Sequence, residues 1–402
     1  MSKFLLTALL LLPCCLWAQP KMIKDTTNTD TLDNQRDLID VARSLFNVRP
    51  RTIKAEKDKS VYFSFLPVSS AVPGGGKALF TSTTAGFYLG DRNTTYISSV
   101  TFAPYFNFKG RYGLPVRSNI WLKNNSWNIL GDTRILIYPQ YTWGLGGRRD
   151  NNDKILLDYN YIRLYQSALK RIQPYFFAGI GYNLDYYINV KTDNPGEVEK
   201  FTGYTFGTGK NSFSSGASIN LLYDTRNNSI NPLPGVYGNI IYRFNPRILG
   251  SIDHWQSLYI DVRKYISLNP ASNKKNVLAF WSYYWTSLTN GTPYLNLPSI
   301  GWDPYQRSGR GIEQNRYRGE KLFYFESEYR SDITRNGLFG YVLFASVNSV
   351  SEPNNNRFAF WHPAAGAGLR IKFNKKSGTN IGIDYGFSKG YSAIMVNLGE
   401  AF

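Results

Sequence analysis

The chain has 402 residues, 46 of them Lys or Arg and 28 Asp or Glu, for a formal charge of +18. Its mean hydropathy is −0.33, and no segment after the N-terminus holds an apolar run of membrane-spanning length, which excludes helical spans. Aromatic residues make up 16%, as expected where rings line both interfaces of a bilayer.

The N-terminus reads as an export signal over residues 1–18. Lys3 is the positive start, Phe4 to Leu12 the apolar core, and Leu16-Trp17-Ala18 the small-residue exit before Gln19. Cys14 raises a lipoprotein alternative, but Pro13 before it fits a lipidation site poorly, so cleavage after Ala18 is the expectation. Cys14 and Cys15, the two cysteines of the chain, then leave with the signal, and with them disulfide, thiol and cysteine-metal chemistry. For an exported chain the basic excess points to lipopolysaccharide, periplasmic chains and anionic solutes rather than nucleic acid.

Residues 19–59 read as a periplasmic leader. Lys21 to Asp33 is rich in Thr, Asp and Asn and is expected to be disordered. Asp33 is then placed to cap a short amphipathic helix with Leu38, Val41, Ala42 and Leu45 on one face, ended by Pro50. So short a helix needs packing, either as a latch under a barrel mouth or as a docking element for a partner; the latch is preferred.

From residue 60 to 402 the pattern is strands with alternating side chains and Gly/Asn/Pro turns. The spacing predicts strands at 60–66, 77–90, 95–109, 113–125, 131–146, 156–169, 171–190, 211–224, 234–246, 253–268, 275–289, 319–332, 336–348, 363–374, 377–388 and 391–402. That is an all-β transmembrane antiparallel β-barrel of about sixteen strands, closed by its first and last, with the even count such barrels need. Leu258, Ile260 and Val262 alternate with Tyr259, Asp261 and Arg263, the apolar-out, polar-in wall of a water-filled cylinder. The last strand places Ile394, Val396 and Leu398 on one face and stops on Phe402, which reads as an assembly signal for the barrel assembly machinery. If the first strand rises from the periplasm, the longest connections (191–210, 290–318 and 349–362) are extracellular, and short turns such as Lys375-Lys376 are periplasmic. The periplasmic connection 224–235 is the exception in length.

That connection and one long loop carry a family resemblance. Asp224-x-Arg226 followed by Asn231-Pro232 and Pro234-Gly235 resembles a turn of the BamA/TamA superfamily, the bacterial surface antigen barrels. Gly309-Arg310-Gly311-Ile312 in the loop between strands eleven and twelve, then Glu326-Ser-Glu328-Tyr-Arg330, resembles the superfamily's sixth extracellular loop and the strand after it. The resemblance implies a loop folded back into the lumen, with Arg310 as the motif arginine, Glu328 its main partner and Glu326 beside it. Ile312 stands where the family has an aromatic, and strand thirteen, Val342 to Asn348, lacks an expected Asp and Gly, so a looser hold on Arg310 is expected. The leader is too short for the POTRA domains that precede the barrel in members that insert or export chains.

The expected function is therefore a POTRA-less barrel in the outer membrane that assists insertion or translocation of polypeptide or lipid, with outer-membrane lipid, lipopolysaccharide and a polypeptide client as partners. A weakly anion-selective pore is the alternative, with Arg117, Lys123, Arg243, Arg263, Arg370 and Lys372 in the lumen. A lipid-active enzyme is a third reading, below both. Its only histidines, His254 beside Trp255 and His362 between Trp361 and Pro363, have no nucleophile motif nearby and read as interfacial packing. No metal or other cofactor is implied, and the chain reads as non-enzymatic.

Overall fold

A computed structural model describes residues 34–47, 61–72, 76–107, 110–150, 152–192, 198–226, 228–232, 234–269, 275–304 and 306–402. The signal peptide and the polar tract Lys21–Asp33 lie outside the described residues. Consecutive hairpins build one antiparallel sheet of nineteen strand segments. It begins with β1 (Tyr62–Val72) and β2 (Gly76–Phe87). β3 (Ser98–Phe102) and β4 (Tyr105–Phe106) both pair with β2. β5 (Tyr112–Gly113) and β6 (Val116–Trp121) both pair with β7 (Trp127–Ile137), and β7 and β8 (Gln140–Thr142) both pair with β9 (Ile155–Gln173). Three of the nineteen segments are thus second halves of a broken strand, which leaves sixteen wall positions.

Each break falls at a proline, Pro104, Pro115 or Pro139, whose nitrogen has no hydrogen for a ladder. Neighbouring bonds carry the sheet across: Thr81 N donates to Pro104 O at 2.9 Å and Ala103 N to Pro115 O at 3.1 Å. The uninterrupted strands expected at 95–109, 113–125 and 131–146 are corrected accordingly. The wall continues through β10 (Phe176–Thr192), β11 (Ser212–Asp224), β12 (Gly235–Asn245), β13 (Trp255–Ser267), β14 (Asn276–Ser287), β15 (Lys321–Asp332), β16 (Phe339–Val350), β17 (His362–Asn374), β18 (Thr379–Ser388) and β19 (Tyr391–Leu398). β19 returns beside β1, but among the described residues no ladder register joins the two.

Alternation sets the two faces. Tyr259, Asp261 and Arg263 of β13 are buried inside, while Val262 faces out. The interior, however, is not a water-filled cylinder. Tyr259, Trp281, Tyr283 and Tyr324 project inward and pack on Ile300 and Ile312 of the β14–β15 loop and on Phe402. Much of the hydrophobic core is therefore lumenal.

The C-terminus departs from the sequence reading. β19 ends at Leu398 rather than running to residue 402, and Gly399, at φ 82°, turns the chain inward. Leu398 and Phe402 are buried, while Ile394 is 70% exposed, so the expected outward set of Ile394, Val396, Leu398 and Phe402 breaks after Val396. Phe402 stacks obliquely on Trp281 at 5.2 Å, inside the barrel.

The leader helix, α1 (Leu38–Leu45), is capped by Asp37, not Asp33: Asp37 Oδ1 accepts from Asp40 N at 2.8 Å. Its bonds run to the turns after β15 and β17, at the rim of the wall: Lys375 N donates to Asp37 Oδ2 at 2.9 Å and Arg36 N to Asn336 O at 3.0 Å. It shares a groove with Phe373 of β17, on the outward face opposite Arg370 and Lys372. The long loop after β10 also holds structure, α2 (Val198–Thr202), where an irregular connection was expected.

Candidate functional site

The β14–β15 loop crosses the lumen and is fastened on both sides. At its entry, Tyr294–Asn296 form one 3-10 turn. Asn296 Nδ2 donates to Asp185 Oδ2 of β10 at 3.0 Å, and Tyr187 OH donates to Leu295 O at 3.1 Å. Asp185 also accepts from Tyr165 OH at 2.6 Å and pairs with Arg243 at 2.6 Å. The far turn is shaped by Asp303, which accepts from Ser308 N at 2.9 Å and from Arg307 N at 3.1 Å. Gly309 and Gly311, both at positive φ, bracket Arg310 at the tip.

Arg310 is 4% exposed and meets three carboxylates. It bonds Glu326 and Glu328 of β15 and, at 2.9 Å, Asp384 of β18. Its guanidinium also lies over the Phe344 ring of β16, 3.7 Å from the centroid. Burial alone would push its pKa down, but the three carboxylates outweigh this and hold it well above the ordinary value. The cluster continues outward. Arg330 bonds Glu328 and donates to Phe402 O at 2.9 Å, and Arg370 bridges Asp384 at 2.5 Å and Glu400 at 2.7 Å. Cations and anions thus alternate from the loop tip to the C-terminus.

Gly311 lets the tip touch the wall. A Cβ there would lie 2.4 Å from Phe387 N, and one on Gly386 would lie 2.7 Å from Gly311 N. Ser388 Oγ donates to Gly311 O at 2.6 Å. Ile312 turns inward and fills the lumenal aromatic cluster beside Ile300.

The motif resemblance led to Glu326 and Glu328 but missed Asp384, Phe344 and Gly386. Strand thirteen lacks the expected acid, and Asp384 supplies one from strand fifteen. Its signal was present: Asp384 is the sole charged inward residue of β18, between Gly382 and Gly386, which leave room for a visiting side chain.

A floor closes part of the end of the barrel expected to be periplasmic. Arg226 grips Asp224 with Nε at 2.9 Å and Nη2 at 2.8 Å, and stacks over Tyr237 at 4.2 Å. Pro232 is buried and Gly235 opens β12. The connection is long because it reaches across: Asn228 donates to Ser377 O and Asn231 to Gly378 O, both at 2.9 Å. Glu400 N bonds Ile230 O at 3.3 Å.

Between floor and loop remains a cavity of about 330 Å³ lined in part by Arg117, Arg243 and Arg263. These are not a free basic array. Arg243 and Arg263 each hold an aspartate at 2.6 Å, and Arg117 donates to Gln306 at 2.9 Å. Lys123 is not lumenal at all; it lies exposed in the turn before β7. Lys372 is buried inside the wall. His362 stacks on Tyr317 at 3.7 Å and His254 packs edge-on to Phe244 at 5.1 Å. Trp255 points inward to Ser214 at 3.1 Å rather than into an aromatic belt.

No family model matches the sequence, and no match is found among curated proteins. Solved structures do match. BamA from Haemophilus ducreyi lacking POTRA domains 1-3 aligns over 93% of this chain and 81% of its own, at 14% identity and a TM-score of 0.52. CdiB from Escherichia coli aligns over 86% of this chain at 11% identity and a TM-score of 0.52. CdiB from Acinetobacter baumannii aligns over 82% at 11% identity and 0.51. The chain spans 62% of the length of each CdiB structure. The chain has the fold of the BamA/TamA type of outer-membrane β-barrel.

Proposed function

We propose that this barrel is exported through a cleaved signal to the outer membrane and there assists insertion or translocation of a polypeptide or lipid. The observation that carries the reading is the seam. Every other neighbouring pair in the wall is joined by a ladder, whereas β1 and β19 approach without one among the described residues. β19 is also short, at 8 residues, against 10 for its neighbour β18 and 11 for β1. A weak seam exposes backbone donors and acceptors on which an incoming strand can pair. The lumen supports the same reading, because a loop fastened on both sides leaves the seam rather than the axis as the route. The basic lumenal side chains bound to carboxylates, and the histidines packed against rings, give the pore and enzyme readings less support.

The test is a folding assay. Vesicles carrying this protein are mixed with a small unfolded outer-membrane barrel, and its insertion rate is compared with that of empty vesicles. Insertion is expected to be faster, and a disulfide locking β1 to β19 is expected to remove the gain. Equal rates with and without the protein would refute the proposal.

A further inference from the structure

α1 presents an apolar face that the barrel leaves open. At 100° per residue, Val41, Leu45, Leu38, Ala42, Phe46 and Ile39 follow one another round one arc. Asp40, Arg43 and Ser44 occupy the other side. Phe373 borders the groove along this arc, but Leu45 is 76% and Phe46 79% exposed.

The helix is held in one orientation. Asp37 Oδ2 accepts from Lys375 N at 2.9 Å, Asp40 pairs with Lys375 Nζ at 2.8 Å, and Arg36 N donates to Asn336 O at 3.0 Å. These bonds tie its polar side to the turns after β17 and β15, so the apolar arc cannot roll into the barrel.

Where the arc begins decides what covers it. Arg370 and Lys372 of β17 are buried inside, so Leu369 and Phe373 face outward, and Leu369 is 56% exposed. Leu343 and Phe339 of the adjoining β16 are exposed on the same outer surface. The arc of α1 is therefore continuous, through Phe373, with the hydrocarbon-facing wall of the barrel. Arg43 lines the same groove and is exposed, as is Arg36 just before the helix, where anionic headgroups would lie.

We infer that α1 is an interfacial helix lying in the periplasmic leaflet, with Leu45 and Phe46 among the acyl chains and Arg43 reaching lipid phosphate. A protein partner would also cover the face. It would not account for a face that starts on the lipid side of β17 and carries cations along its margin. This inference stands apart from the proposed insertion activity, since an interfacial helix would serve a pore equally well.

The test uses the full chain with Cys14→Ser and Cys15→Ser, plus either Leu45→Cys or Ser44→Cys, labelled with an environment-sensitive fluorophore. The protein is placed in vesicles of phosphatidylethanolamine and phosphatidylglycerol. Both positions are exposed, so neither label disturbs packing. At position 45 the emission is expected to shift to the blue and to be quenched by acyl-chain nitroxide lipid. At position 44 it is expected to be quenched by aqueous iodide. Arg43→Glu is expected to weaken the lipid quenching at 45. Iodide quenching of both positions alike would overturn the inference. So would shielding of position 45 in native outer membranes but not in pure lipid, which would mean a protein occupant.

Discussion

Removing the Arg310 side chain should release the loop while leaving the wall standing. In the Arg310→Ala variant, Glu328 keeps Arg330 and Asp384 keeps Arg370, but Glu326 retains only the Tyr324 hydroxyl. All three carboxylates are buried. Stranding one partner of a buried ion pair costs about 3–5 kcal/mol. With about 1.4 kcal/mol per factor of ten, the released loop would become about a hundred- to a few-thousand-fold more populated. The strand ladders do not use Arg310, so heat-modifiable migration of the barrel should persist. The assay is limited trypsinolysis at the cell surface, reading cleavage after Arg307, Arg316 and Arg318, with single-channel conductance in parallel. Both should rise. Arg310→Lys should recover only part of the protection, because an ammonium cannot spread its bonds over Glu326, Glu328 and Asp384 as a planar guanidinium does. Unchanged proteolysis and conductance in Arg310→Ala would refute the reasoning, since the cluster would then be doing nothing to hold the loop.

Gly311→Ala should also free the tip: the positive φ alone costs about 1–2 kcal/mol, and its Cβ would meet backbone at 2.4 Å. Surface trypsinolysis of the loop reads it out, and wild-type protection in Gly311→Ala would show that contact with β18 is unimportant. Phe402→Ala should lower the temperature of heat-modifiable unfolding, reflecting about 3–5 kcal/mol of lost lumenal packing, while still allowing insertion. Wild-type transition temperature in that variant would mean that Phe402 does not pack on Trp281 in solution. Arg226→Ala should strand the buried Asp224, with a local cost of about 3–5 kcal/mol. Cleavage of the 225–234 turn from the periplasmic side reads it out, and an unaltered cleavage rate would count against the forked pair.

The barrel was legible because a lipid-facing wall imposes period-two alternation, as at Leu258–Arg263, and because strand count and loop asymmetry follow from it. Prolines 104, 115 and 139 were equally visible, but a wall can bridge a proline with neighbouring bonds, so they break segments without changing the count. The inward turn at Gly399 was hidden because alternation runs smoothly through Leu398, and only tertiary contacts of Glu400 and Phe402 pull the tail inside. The motif around Arg310 pointed to Glu326 and Glu328 since they share its resembling segment. Asp384 stood out as the sole charged inward residue of its strand, between two glycines, but which cation it meets depends on how the loop crosses the lumen, and that no local pattern encodes. The same holds for α1: its amphipathic spacing was readable, but its seat on the outer side of Phe373 was not.

The seam is the claim on which the function rests, and photo-cross-linking tests it most directly. A photoreactive residue is placed along β1, along β19, or in the middle of β9, and an unfolded outer-membrane barrel is supplied as client. Cross-links to the client are expected from β1 and β19 and not from β9. Equal labelling from β9, or no labelling from the seam strands, would contradict the account.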